Sequence, residues 1–120
     1  MKHEKMKLVK LLDEILCFSF IHDATEMNIN IKMDDEKYII QFKDNSKGVS
    51  KERIENIKEM INVEKQPEME EYYWELVGQQ DYNDEFTLVG LMSDKANIHY
   101  DPEKGLSLTL YRNFKKNKNK

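Results

Sequence analysis

Asp44, Ser46 and Gly48 stand close together in the segment Asp44-Asn45-Ser46-Lys47-Gly48-Val49, between an alternating apolar stretch and an amphipathic one. A carboxylate at a strand end can accept a hydrogen bond from the exocyclic amine of adenine, and a nearby glycine lets backbone come close to the base. Asp44, Ser46 and Gly48 are therefore the candidate base-binding residues, with serine at a position where a second glycine would suit that chemistry better. The alternative reading of Asp44 is a turn-forming residue whose side chain binds its own backbone at the strand end.

Other residues with chemical potential are few. Glu14 lies in a helical pattern and by itself reads as a solvated or capping carboxylate on the polar side of the helix. His22 has no second ligand at metal-binding spacing and reads as a helix-terminal histidine near the negative end of the dipole. Cys17 is the single cysteine, sits in an apolar pattern, and is expected to be a buried structural thiol in a reducing cytoplasm.

These residues must be positioned by a small number of elements. Leu8, Leu11, Leu12, Ile15, Leu16 and Ser19 recur at spacings of three and four, predicting a helix over about 4–22. Met27, Ile29, Ile31 and Met33 alternate with polar residues, and a polar turn at 34–37 leads to Tyr38, Ile40 and Phe42, a hairpin with one face inward. Ser50 is the expected N-cap of a second helix carrying Ile54, Ile57, Met60 and Ile61. From 63 to 83 the pattern dissolves into a long excursion with a short helical piece, Met69 to Leu76. Asp84 is placed to cap a last helix bearing Phe86, Leu88, Val89, Leu91 and Met92, with Gly90 inside it as a weak point or a close contact. Ala96, Ile98 and Tyr100, a proline-glycine turn, and Leu106, Leu108 and Leu110 predict a closing hairpin.

This order predicts an α/β fold: a two-layer sandwich with a mixed sheet of about four or more strands and helices on one face. With 120 residues, 39% hydrophobic and 35% charged, the chain fits one soluble domain over 1–114 and a basic disordered tail over 115–120. The longest apolar run near the start, Ile15 to Ile21, falls far short of the roughly 20 residues that cross a bilayer, so no membrane association is expected. The net charge of −4 argues against nucleic acid as a partner, because that affinity rests on neutralising phosphates.

With its elements in this order, the chain over about 8–112 resembles the ATPase domain of the GHKL superfamily, the Bergerat fold, and is closest in pattern to the anti-sigma-factor serine kinases. Three places carry the resemblance. Glu14-Ile15-Leu16-Cys17-Phe18 through His22-Asp23-Ala24 is similar to the family's first box. Asp44 to Gly48 is similar to its adenine box, and Phe86-Thr87-Leu88-Val89 through Ala96 to its last helix and following strand. The resemblance implies adenine binding at Asp44, Ser46 and Gly48 and a water-activating role for Glu14 in active members.

The departures fall on the phosphate chemistry. Phe18 occupies the position of the magnesium-holding asparagine, and Asn83, Asp84 and Glu85 stand where lid glycines would cradle phosphate. Phenylalanine offers no oxygen to a hard cation. The expectation is a degenerate, non-catalytic GHKL-fold domain that binds another protein, with Tyr72, Tyr73 and Trp74 as the contact residues, since aromatic side chains dominate interface centres. Mg²⁺ is not expected, and weak binding of an adenine nucleotide is the most that Asp44 would retain. The alternatives are a working ATP-binding serine protein kinase or ATPase with divergent boxes, and a small module that forms a homodimer or packs against a larger subunit through its open sheet face.

Overall fold

The computed structural model describes residues 3–62 and 86–114. The excursion that includes Tyr72, Tyr73 and Trp74, the lid residues Asn83, Asp84 and Glu85, and the 115–120 tail all lie outside the described residues. Helix α1 spans Glu4–Ile21, strand β1 Met27–Met33, β2 Lys37–Asp44, helix α2 Lys51–Ile61, the short helix α3 Thr87–Met92, β3 Lys95–Asp101 and β4 Gly105–Asn113. The strands form one sheet in the order β1-β2-β4-β3, with the helices against one face, so the fold is a two-layer α/β sandwich.

All three strand pairings are antiparallel, where the sequence suggested a mixed sheet. The reason lies in where the second hairpin returns. Its last strand begins beside the end of β2, with Ser107 opposite Lys43, and so runs against it. Both hairpins turn by the same device: Asp34 Oδ1 accepts the amides of Glu36 and Lys37, and Asp101 Oδ1 accepts those of Glu103 and Lys104. These amide donors hold both carboxyls below the usual aspartate range.

Alternation along β2 and β4 places Tyr38, Ile40, Phe42, Leu106, Leu108 and Leu110 under the helices, where they are essentially inaccessible to water. Helix α1 lays Leu8, Leu11, Ile15 and Phe18 on them, and α2 adds Ile54, Ile57 and Ile61. Ser50 caps α2 as expected, accepting the Arg53 amide at 3.0 Å. Gly90 is a point of close packing, since a Cβ there would sit 2.3 Å from the Met60 carbonyl oxygen of α2. At the opposite end of α1, Arg112 of β4 bonds both carboxylate oxygens of Glu4, at 3.2 and 2.9 Å, and the Met92 carbonyl at 2.9 Å. One guanidinium thereby ties the start of α1, the end of α3 and β4 together.

One expectation about burial fails. Ile29 and Ile31, predicted to face inward, remain 41% and 38% exposed. Their strand is at the sheet edge, and the helix layer does not reach fully over it.

Candidate functional site

The Asp44 loop is positioned by the end of β2 and the start of β4, with α1 above them. Asp44 is buried at 7% exposure, and its carboxylate accepts four hydrogen bonds. Ser19 Oγ of α1 donates to Oδ2 at 2.6 Å. Oδ1 accepts the Ser46 amide at 3.0 Å, the Ser46 hydroxyl at 2.8 Å and the Leu106 amide at 3.0 Å. A carboxylate offers about four acceptor positions, so internal donors take up nearly all of this one's capacity. The Ser46 amide bond is the local turn anticipated from sequence; the bonds from Ser19 and Leu106 come from elements 25 and 62 residues away.

Ser46 is equally committed, being buried at 1% with its carbonyl accepting the Tyr100 hydroxyl at 3.2 Å. That hydroxyl also accepts the Val49 amide, so Tyr100 of β3 fastens the loop on two sides. Gly48 takes a left-handed φ of 71° while a Cβ there would meet nothing within 4 Å. Its glycine therefore serves the turn of the chain rather than a close approach. Close approach occurs instead at Gly105, where φ is 111° and a Cβ would sit 2.0 Å from the Asp44 carbonyl oxygen. Only glycine lets β4 begin near enough for the Leu106 amide to reach Asp44.

The structure thus brings Asp44 and Ser46 into one network and leaves Gly48 at its exposed margin. Ser19, Tyr100 and Gly105 complete it without having been singled out as site residues. Ser19 gave a faint signal as a polar residue within the apolar stripe of α1; nothing marks Tyr100 off from an ordinary inward strand residue.

Of the two readings of Glu14 the structure takes capping over solvation, and the residue is not on the polar side of its helix. It is 2% exposed, and its two oxygens accept the amides of Leu88 and Val89 at 3.2 and 3.0 Å. Phe86 sits at the N-cap position of α3 with a left-handed φ of 57° and no side-chain cap bond, so a carboxylate from another helix satisfies the first-turn donors. Burial raises the Glu14 pKa from 4.5 to about 7, against the lowering effect of the Val89, Leu88 and Thr87 amides.

That shift has a defined consequence for stability. A carboxyl whose folded pKa lies above its unfolded value holds its proton more tightly when folded. Its contribution is complete below pH 4.5 and disappears as pH rises through about 7. The span from 4.5 to about 7 corresponds to roughly 3 kcal/mol. Urea denaturation of the wild type and of Glu14→Gln between pH 4.5 and 8 is expected to show the wild type losing about that much relative to the variant. A constant difference across this range would contradict the assignment.

Phe18 is fully buried. Its ring meets Phe86 edge-on at 5.2 Å between centroids and His22 at 4.5 Å, with the Arg53 guanidinium carbon 5.9 Å from its centroid. This aromatic cluster packs with Leu88, Val89, Ile54 and Ile57 as part of the core. Among the described residues no group of three or more His, Cys, Asp or Glu side chains is arranged to hold a metal ion. Cys17 is half-buried rather than buried, and desolvation together with Asp13 and Glu14 pushes its thiol up, which disfavours the reactive thiolate.

A cavity of about 400 Å³ adjoins the Asp44-Asn45 backbone and is lined by Glu26, Lys43, His99, Asp101, Lys104 and Ser107, among others. Strand register puts Lys43, Ser107 and His99 on the open face of the sheet, opposite the helices. Asp44 also lines this cavity, but its side chain has the helix-side parity of Phe42 and its carboxylate is bonded to Ser19 on α1. Cations and carboxylates are mixed along its walls, with no excess suited to a triphosphate.

No family model matches the chain, and neither a curated protein nor a solved structure does. No helix among the described residues is long and apolar enough to cross a membrane.

Proposed function

We propose that this chain is a degenerate nucleotide-cradle domain of the GHKL type, non-catalytic, which acts by binding another protein. The observation that carries the reading is the burial of Phe18 against Phe86, which fills with aromatic carbon the place where a magnesium ligand would be needed. Two further facts support it. Glu14, the general-base candidate of the resemblance, is used to hold the first turn of α3, and Asp44 is used to hold the loop, α1 and β4 together. Glu14 is also 2% exposed, so bulk water does not reach the carboxylate that would have to activate it.

Protein binding is the function left to such a scaffold, and Tyr72, Tyr73 and Trp74 remain its proposed contact residues on sequence grounds. Calorimetric titration with ATP and ADP, with and without Mg²⁺, tests the nucleotide half of the proposal. The expected result is no magnesium-dependent heat at millimolar nucleotide and no difference between the wild type and Asp44→Asn. Saturable, magnesium-dependent binding that Asp44→Asn removes would establish the ATP-binding kinase or ATPase alternative instead.

A further inference from the structure

Strand β1 pairs with β2 on one side only, and no described strand meets its other side. The Asn45 amide donates to the Glu26 carbonyl, and the Asp34 amide to the Lys37 carbonyl. Even-numbered residues from 26 to 34 therefore turn their backbone groups toward β2. The amides and carbonyls of Met27, Ile29, Ile31 and Met33 point outward, an edge seven residues long that no strand among the described residues pairs with.

That edge is also apolar on the helix side. Ile29 and Ile31 are the two half-exposed isoleucines of the strand. Above them lies the outer flank of α1, as the order of the helices shows. Glu14 faces α3, α3 packs on α2, and α2 packs on β3 at the far edge, which leaves α1 on the β1 side. The flank away from Glu14 carries Val9, Leu12, Leu16 and Phe20 at spacings of three and four. Leu12 and Leu16 are half-buried, while Val9 and Phe20 are 54% and 63% exposed.

We infer that β1 is the interface of a twofold dimer in which β1 of one copy pairs antiparallel with β1 of a second, joining two sheets into one of eight strands. Charge selects both the occupant and the register. Centred on Ile29, the pairing sets Glu26 opposite Lys32 twice, once on each side of the axis, with Asn28 opposite Asn30 between them and Met27 opposite Ile31 on the helix side. Ile29 then exchanges both outward backbone bonds with its own copy. Centred one residue later, on Asn30, the pairing sets Glu26 against Asp34, a like-charge contact, and is disfavoured.

A twofold axis normal to the sheet keeps both helix layers on the same face. The two α1 flanks then look at each other across the seam, and Val9, Phe20, Ile29 and Ile31 lose water together. This interface is the strand edge and not the open sheet face, and it does not depend on the nucleotide reading.

Sedimentation velocity over a concentration series up to about 1 mM tests the inference on the full chain. A concentration-dependent dimer is expected. Glu26→Lys and Lys32→Glu each place like charges opposite one another at both symmetric positions and are expected to weaken dimerisation about tenfold, while the double swap restores it. Ile29→Pro removes an amide that faces outward and so spares the β1-β2 ladder, as edge strands tolerate, but abolishes the dimer. A monomer throughout the series would overturn the inference. So would a dimer indifferent to the single swaps, or one that survives Ile29→Pro.

Discussion

Phe18→Ala is expected to destabilise the fold by roughly 3–5 kcal/mol, the usual cost of truncating a fully buried phenylalanine. Its ring contacts Phe86 and His22 and is part of the core shared by α1, α2 and α3, so the cavity left behind would open where three elements meet. Domains of this size have total stabilities of about 5–15 kcal/mol, which makes the loss a large fraction of the whole. Phe18→Asn adds a functional readout. It restores the side chain that holds magnesium in the resembled family, but it also buries an amide among apolar neighbours at a further cost of about 1–3 kcal/mol. Urea denaturation should rank both variants well below wild type, and millimolar Mg·ATP should raise the melting temperature of neither. Stabilisation of Phe18→Asn by Mg·ATP would mean that an intact phosphate grip lies behind the ring, and the pseudoenzyme reading would fall.

Asp44→Ala is the second large effect, and its comparison with Asp44→Asn separates structure from recognition. Alanine orphans the buried amides of Ser46 and Leu106, at about 1–3 kcal/mol each, together with hydroxyl donors from Ser19 and Ser46. A loss of roughly 2–6 kcal/mol follows. Asparagine keeps the Oδ1 acceptor with its three donors, and its amide can donate to Ser19 once that hydroxyl rotates. Asp44→Asn should therefore cost only about 1 kcal/mol, near the net worth of one hydrogen bond. If denaturation finds both variants equally mild, the carboxylate does not organise the loop, and the base-recognition role becomes the better account of Asp44.

Much of the architecture was legible because it rests on periodicity. Spacings of three and four located α1 and α2 to within a residue or so, and alternation located both hairpins. Ser50 acted as the cap its type and position suggest, since capping is a local bond across three residues. The mixed sheet and the full burial of Ile29 and Ile31, which do face the helix side, failed for a common reason. Strand direction and edge position depend on how the second hairpin returns to the first, which no local pattern encodes.

The candidate site divides along the same line. Sequence picked out Asp44 and Ser46, and the short bonds between them follow from their being two residues apart. It could not show that Ser19, Leu106 and Tyr100 would meet them, because those contacts span 25 to 62 residues of chain. It offered Glu14 as a solvated or capping carboxylate without choosing between them, and only the arrival of α3 against that side of α1 makes it a buried cap. Residue types and spacing alone determined the elements and the single chemically suggestive loop. Which carboxylates accept backbone amides, and which strand stands at the edge of the described sheet, only the tertiary structure decided, since hydrogen-bond partners and burial are set by elements that pack from distant parts of the chain.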